Sequence, residues 1–477
     1  MDSASVQFVC FGLMVAALSN AGKSPVWRSL VLMLASASFI VMLAKNLLAL
    51  LPLAGFLLMG YWGVALVKRG WRGSFILSVC SVLFGYIWLK KYTLLPDQIL
   101  LPYPYFTLGI SYIFFRVLQL LVETRDATST PPVSVSGYLL YTLNFTTFIS
   151  GPIQRYRDFS RDQFAKVPIA LDARTVGLQL QRIIVGFFKV SVLSMLLHHM
   201  HEGALLQLHQ SLGFTVKMLA AIRLTVAYPI FLYCNFSGYV DIVIALARLM
   251  RIRLPENFDR PFSATSFLDF WNRWHMTLSI WLRTNVYNPL LLALMRRNHR
   301  PAMEPFLAVF CFFVTFFLIG VWHGRTSEFV VFGVLQGGGV AANKLWQLWL
   351  SRVAGKKKYR IIANNFAYLA LGRGLTYSWF AFTLYWFWAR WSQLARIRQD
   401  LSVVQWLMVW MITVVAATAV LAIWEWVRAV MLSIRIYNVP ALNNRYTAVV
   451  YTTALGLTAL IVTSLIGQAP VIVYKTF

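Results

Sequence analysis

Residues 269 to 283 read DFWNRWHMTLSIWLR, which sets His275 and two arginines among three tryptophans, and some forty residues later an apolar run ends in GVWHG around His323. An imidazole is the side chain best suited to taking a proton from a hydroxyl near neutral pH and returning it to a leaving group. Desolvation favours the neutral ring, the form that accepts the proton. Ionisable side chains are costly within a bilayer, so a histidine embedded in apolar membrane sequence marks a functional site by default. Two such histidines in one chain point to acid–base chemistry.

Each motif also has a plainer reading. Ser266 can cap a helix with Asp269 in its first turn. On a helical wheel from Asp269 to Arg283, Trp271, Trp274, Leu278 and Leu282 form one stripe, and Asn272, His275 and Ser279 another. Composition alone reads this stretch as an interfacial helix, with tryptophans at headgroup depth and snorkelling arginines. Around His323, Arg325 and Glu328 offer partners, and Gly320 and Gly324 permit a helix break or the close approach of a ligand. A helix-end histidine bonded to a carbonyl is the alternative there. His198, His199 and His201, in LLHHMHEG, lack a matched second ligand group and read as an exposed helix end, so no metal is expected. His209 and His299 carry no specific signal.

The elements that must position these residues belong to a membrane. Of the 477 residues, 59% are hydrophobic and 16% aromatic, with a mean hydropathy of +0.65, more than a soluble domain can keep from water. The net charge of +27 lies in short clusters between apolar runs, as loops obeying the positive-inside rule do. Nucleic-acid binding needs a contiguous basic surface that no segment supplies. Cys10, Cys80, Cys234 and Cys311 each fall in apolar sequence and imply neither disulfides nor zinc. The amino terminus lacks a basic n-region and reads as a short first membrane segment rather than a cleaved signal peptide.

Apolar segments of about 20 residues, enough to cross a hydrocarbon core, fall near 5–20, 27–45, 46–66, 74–92, 104–123, 135–151, 177–197, 216–236, 305–322, 327–350, 364–390, 402–430 and 447–467. The expected fold is an all-α, polytopic helical bundle of about 11–13 membrane segments, some re-entrant, in one domain over 1–477. Amphipathic runs near 152–175 and 251–300 read as interfacial helices. Arg296, Arg297 and Arg300 precede the pass at 305–322, and Arg352, Lys356, Lys357, Lys358 and Arg360 follow the pass at 327–350. Both outer ends of that pair are therefore expected in the cytoplasm, with His323 near the outer side. The same logic puts Arg435 and Arg445 inside and the tail 468–477, QAPVIVYKTF, outside.

Taken together, DFWNRWHMTLSIWLR and GVWHG resemble the membrane-bound O-acyltransferases. The resemblance is to the bacterial branch of alginate, peptidoglycan and cellulose O-acetylation proteins and the teichoic-acid D-alanylation acyltransferase. TLGISYIFFRVLQLLVETR (107–125), NFTTFISGPIQRYRDF (144–159) and YCNFSGYVDIVIALARLMRIRLPENFDRPF (233–262) extend it over most of the chain. Two departures stand out: Asn288 to Leu292 replace a glycine-rich continuation, and Gln336 stands where a second HG pair often occurs.

The resemblance implies acyl transfer through a central funnel or tunnel, with residues 251–350 as the catalytic core. The donor would be a cytoplasmic thioester, acetyl-CoA or an acyl carrier, and the acceptor extracytoplasmic. His323 takes the place of the catalytic histidine and His275 that of a second important one. Asn272, Arg273, Trp274 and Trp322 would line the tunnel or position the donor, with Asp241 and Arg155 supporting the site. The tail is similar to aromatic carboxyl-terminal tails in which a tyrosine carries the acyl group, here Tyr474, a weak nucleophile until a base takes its proton. No bound cofactor is implied. The expected partners are the acyl-CoA donor, the lipid bilayer, an extracytoplasmic acyltransferase partner and a cell-envelope polysaccharide or peptidoglycan acceptor, and the expected location is a bacterial inner membrane. D-alanyl transfer from a carrier protein, a transporter or flippase, and a non-enzymatic scaffold are the alternatives.

Overall fold

The computed structural model describes residues 5–44, 46–93, 95–126, 131–210, 213–433 and 445–466. The described residues are helical nearly throughout, with one isolated antiparallel β-bridge between Phe258 and Trp274. In chain order the helices are α1 (Val6–Ala21), α2 (Pro25–Leu43), α3 (Leu51–Lys68), α4 (Ser74–Leu89), α5 (Ile110–Arg125), α6 (Val135–Thr142), α7 (Tyr156–Gln163), α8 (Ala173–Phe188), α9 (Met195–Leu208) and α10 (Phe214–Leu249). There follow α11 (Phe267–Trp271), α12 (Met276–Leu282), α13 (Asn288–Arg297), α14 (Glu304–His323), α15 (Ser327–Ala363), α16 (Phe366–Thr383), α17 (Tyr385–Trp388), α18 (Trp391–Asp400), α19 (Val403–Ser433) and α20 (Arg445–Ile466). Two π-helical turns, Lys189–Ser194 and Arg283–Tyr287, join α8 to α9 and α12 to α13.

Among the described residues, seven helical stretches are long and apolar enough to cross a membrane: Pro25–Leu43, Leu48–Lys68, Ala173–Leu208, Phe214–Leu249, Pro301–His323, Val403–Met431 and Thr447–Ser464. Two shorter ones, Val6–Ala21 and Ser74–Leu89, are also apolar. The chain is an all-α, multi-pass membrane protein. The pass expected at 135–151 is instead the eight-residue α6 followed by turns. Its end is shaped by the buried Arg116 of α5, whose guanidinium donates to the carbonyls of Tyr141, Thr142 and Thr147 and so takes up acceptors a continuing helix would use itself.

The contacts divide the chain into two compact units. The first comprises residues 1–192, 235–256 and 455–477. Here α8 and the end of α10 meet backbone to backbone, since a Cβ on Gly186 would lie 2.6 Å from the Gly238 carbonyl oxygen. Beside that crossing Asp241 accepts from Arg182 (3.0 Å) and Lys189 (2.7 Å), and Arg182 also grips Glu256. Arg155, which precedes α7, is exposed.

The second unit comprises residues 193–234 and 257–454. Its framework is the α14–α15 hairpin. A Cβ on Gly320 would fall 2.1 Å from Gly333 Cα, and one on Gly337 2.5 Å from the Phe313 carbonyl oxygen, so glycine alone permits this approach. The turn Gly324–Thr326 closes the hairpin, and Glu328 at the start of α15 accepts the Trp391 backbone N–H at 2.9 Å. Glu328 thereby anchors α18, whereas the sequence offered it as a partner for His323.

Candidate active site

His323 is the last residue of α14 and only 2% exposed. Its ring centroid lies 4.8 Å from Trp322, 5.3 Å from Phe387 and 6.0 Å from Phe332, an aromatic cage that two later helices complete. One turn along α15 from Phe332, the fully buried Gln336 donates from Nε2 to Thr383 Oγ1 at 2.8 Å. Phe332, Phe387 and Thr383 carried no sequence signal, because cage residues of this kind look like ordinary core.

His275 is fully buried and lies outside the helices long and apolar enough to cross a membrane, in the left-handed region at φ 46°, ψ 50°. A non-glycine residue there pays roughly 1–2 kcal/mol, so its surroundings must hold it. Residues 257–259 do so. The Asp259 N–H donates to the Arg273 carbonyl and the Met276 N–H to the Asn257 carbonyl, both at 3.0 Å. Asn257 Oδ1 in turn accepts from the Thr277 N–H (3.1 Å) and hydroxyl (2.8 Å). The continuous helix expected from Asp269 to Arg283 is therefore broken at His275, although its start is as read, with Ser266 Oγ accepting the Asp269 N–H. Burial pushes the His275 imidazole down to about 3, so the ring is neutral at physiological pH.

The break brings the two histidines to one indole. The Trp322 ring lies 6.3 Å from His275 and 4.8 Å from His323, centroid to centroid. A cavity of about 90 Å³ is lined by Asn272, Ser279, Arg283, Tyr287 and Thr315 together with apolar side chains, but by neither histidine nor Trp322; it meets them through Ser279, whose N–H donates to the His275 carbonyl at 3.1 Å. Asn272 and Ser279 were legible as a polar face, and Arg283 stood in the same motif. Tyr287 and Thr315 were missed, since neither belongs to a motif.

Other candidates fall elsewhere. Trp274 packs into an aromatic cluster with Phe258, Phe270 and Phe380, and Arg273 is held by Asp269 at 2.9 Å and Asp259 at 3.8 Å. Neither lines the small cavity. Asp241 and Arg155 belong to the first unit and are placed as described above. His201 is buried against Tyr228 and Trp388, in contrast to the exposed helix end expected for its cluster, and His209 pairs with Asp400 at 2.5 Å. Among the described residues no three His, Cys, Asp or Glu side chains converge as a metal site. Tyr474 and the tail 468–477 lie outside the described residues.

The family model described as MBOAT, membrane-bound O-acyltransferase family, matches residues 38–387, which include both histidines and the elements that frame them. The chain belongs to the membrane-bound O-acyltransferase family. Membership makes it an acyltransferase by family. Similar curated proteins include a teichoic acid D-alanyltransferase of Bacillus subtilis, 27% identical over 281 residues (58% of this chain, 67% of the relative). Another of that name, from Streptococcus thermophilus, is 31% identical over 240 residues (50% and 57%). A probable alginate O-acetylase AlgI of Pseudomonas fluorescens is 28% identical over 326 residues (67% and 61%). The chain thus spans between 57% and 67% of the length of these three relatives.

Proposed function

We propose that this acyltransferase moves a short acyl group, acetyl in the preferred reading, from a cytoplasmic thioester to an extracytoplasmic hydroxyl destined for a cell-envelope polymer. The observation that carries the proposal is the pair of buried imidazoles flanking one indole at the end of α14. His323 acts as the base. It takes the proton of the attacking hydroxyl as the oxygen bonds to the thioester carbonyl carbon, and returns a proton to the thiolate when the C–S bond breaks. His275, neutral and locked in place, lines the path together with Asn272, Ser279 and Arg283. The cavity of about 90 Å³ beside them accommodates a group as small as acetyl.

Tyr474 is the preferred first acceptor, from which the acetyl group passes to a partner or directly to the polymer. The relatives named alginate O-acetylase favour acetyl, and those named teichoic acid D-alanyltransferase favour a second reading, D-alanyl from a carrier protein. The test is intact and peptide mass spectrometry of the full chain after incubation with labelled acetyl-CoA. Label on Tyr474 in the wild type, absent from His323→Ala and Tyr474→Phe, is the expected result. Wild-type turnover in a folded His323→Ala variant removes His323 from catalysis. A wild type that labels only from a D-alanyl carrier thioester replaces the acetyl reading with the second.

A further inference from the structure

A second, larger cavity of about 700 Å³ lies in the second unit between α15 and α16, with Trp410 of α19 at its wall. It shares none of its lining with the small cavity of Asn272, Ser279 and Arg283. Its volume is that of a pocket for a small organic ligand, roughly 300–1,000 Å³. Trp346, Leu371 and Leu375 line it and remain 40–48% exposed, so its apolar wall reaches the surface. The membrane passes expected from the sequence at 327–350 and 364–390 would turn that wall towards lipid.

The glycine triplet 337–339 points the same way. Gly337 is required by the Phe313 carbonyl, and a Cβ on Gly339 would meet Trp379 Nε1 at 2.2 Å. Gly338 between them has nothing within 4 Å, although glycine inside a helix costs about 0.5–1 kcal/mol relative to alanine. It lines the cavity, and its missing side chain leaves that space open.

No cation lines the cavity among the described residues, but through Tyr359 it adjoins a basic segment. Counting about 30 Å of hydrocarbon from Ser327 at about 1.5 Å per residue puts the inner boundary near Gln347. Lys344, Trp346, Trp349 and Arg352 there form the expected belt of cations and aromatics. At Gly355 (φ 77°) the helix kinks, and Lys356, Lys357, Lys358 and Arg360 beyond it are exposed, while Tyr359 among them lines the cavity. A cluster of cations just cytoplasmic of a membrane helix attracts anionic headgroups. Asn343 Oδ1 and Trp379 Nε1, on two lining residues, are buried with no hydrogen-bond partner among the described residues. By the same count Asn343 Oδ1 lies about 6 Å inside that boundary, where it offers an acceptor, while Trp379 Nε1, packed on Gly339, lies about 12 Å inside it.

We propose that this cavity binds an anionic phospholipid of the inner leaflet, one acyl chain lying along Gly338 and the headgroup resting on the Lys356–Arg360 segment. The exposed apolar wall favours a membrane lipid over a soluble thioester. The site does not depend on which acyl group the enzyme transfers.

The test is thermal unfolding of the full-length protein in detergent with added phosphatidylglycerol, phosphatidylcholine, glycerol 3-phosphate or long-chain acyl-CoA. Phosphatidylglycerol should raise the midpoint more than phosphatidylcholine does. Gly338→Leu, whose side chain projects into open space, should keep the lipid-free midpoint and lose that rise. Ala342→Phe, also in the lining, plugs the cavity independently if Gly338→Leu folds poorly. Replacing Lys356, Lys357 and Lys358 by Gln should abolish the preference for the anionic lipid. An undiminished rise in the plugged variants, equal responses to the two lipids, or a rise produced by glycerol 3-phosphate alone or by acyl-CoA alone overturns the proposal.

Discussion

His275 carries two properties that separate experimentally, its ring and its backbone. The ring is neutral and close to Trp322, and the backbone is held at positive φ by Asn257 and Asp259. Glycine adopts that conformation freely, whereas alanine retains the strain. His275→Gly should therefore be more stable than His275→Ala by about 1 kcal/mol, as read by thermal unfolding in detergent. If the imidazole serves the reaction, both variants lose acyl transfer to the same extent. Recovery of activity in the glycine variant alone would show that the position matters only as a bend.

The helix pair α14–α15 positions His323, and its glycines differ in role. Gly320→Ala forces a methyl group against the Gly333 backbone and should cost about 1–3 kcal/mol, the scale of overpacking. Gly338→Ala meets nothing and should be neutral or stabilising by up to about 1 kcal/mol. Chemical unfolding of the two variants side by side checks the contrast, which disappears if helix propensity alone governs both sites. Much of this architecture was legible in the sequence. The hairpin, the Ser266 cap and the two histidines are local patterns, written in hydropathy, capping chemistry and motif spacing. The break at His275 was not legible, because the bonds that make it come from Asn257 and Asp259, in the stretch 251–300 that read as interfacial helix. Nor was the shortening of α6, which depends on Arg116, some twenty-five residues earlier in the chain.

At the scale of the whole molecule, the orientation of the α14–α15 hairpin decides which face meets the donor. Arg296, Arg297 and Arg300 stand before α14, and Arg352 with the Lys356–Arg360 segment stands near the far end of α15. The positive-inside rule predicts both ends in the cytoplasm. The twenty residues of α14 rise about 30 Å, one hydrocarbon thickness, so the turn Gly324–Thr326 and the neighbouring His323 come near the outer face. Thr326 and Lys357 are both exposed and can report this. With the four native cysteines replaced by alanine, a membrane-impermeant maleimide added to intact cells should label Thr326→Cys. Lys357→Cys should label only after the membrane is opened. The reverse pattern would turn the hairpin over, move the basic segment of the lipid cavity to the outer leaflet, and leave a cytoplasmic thioester on the wrong side of His323.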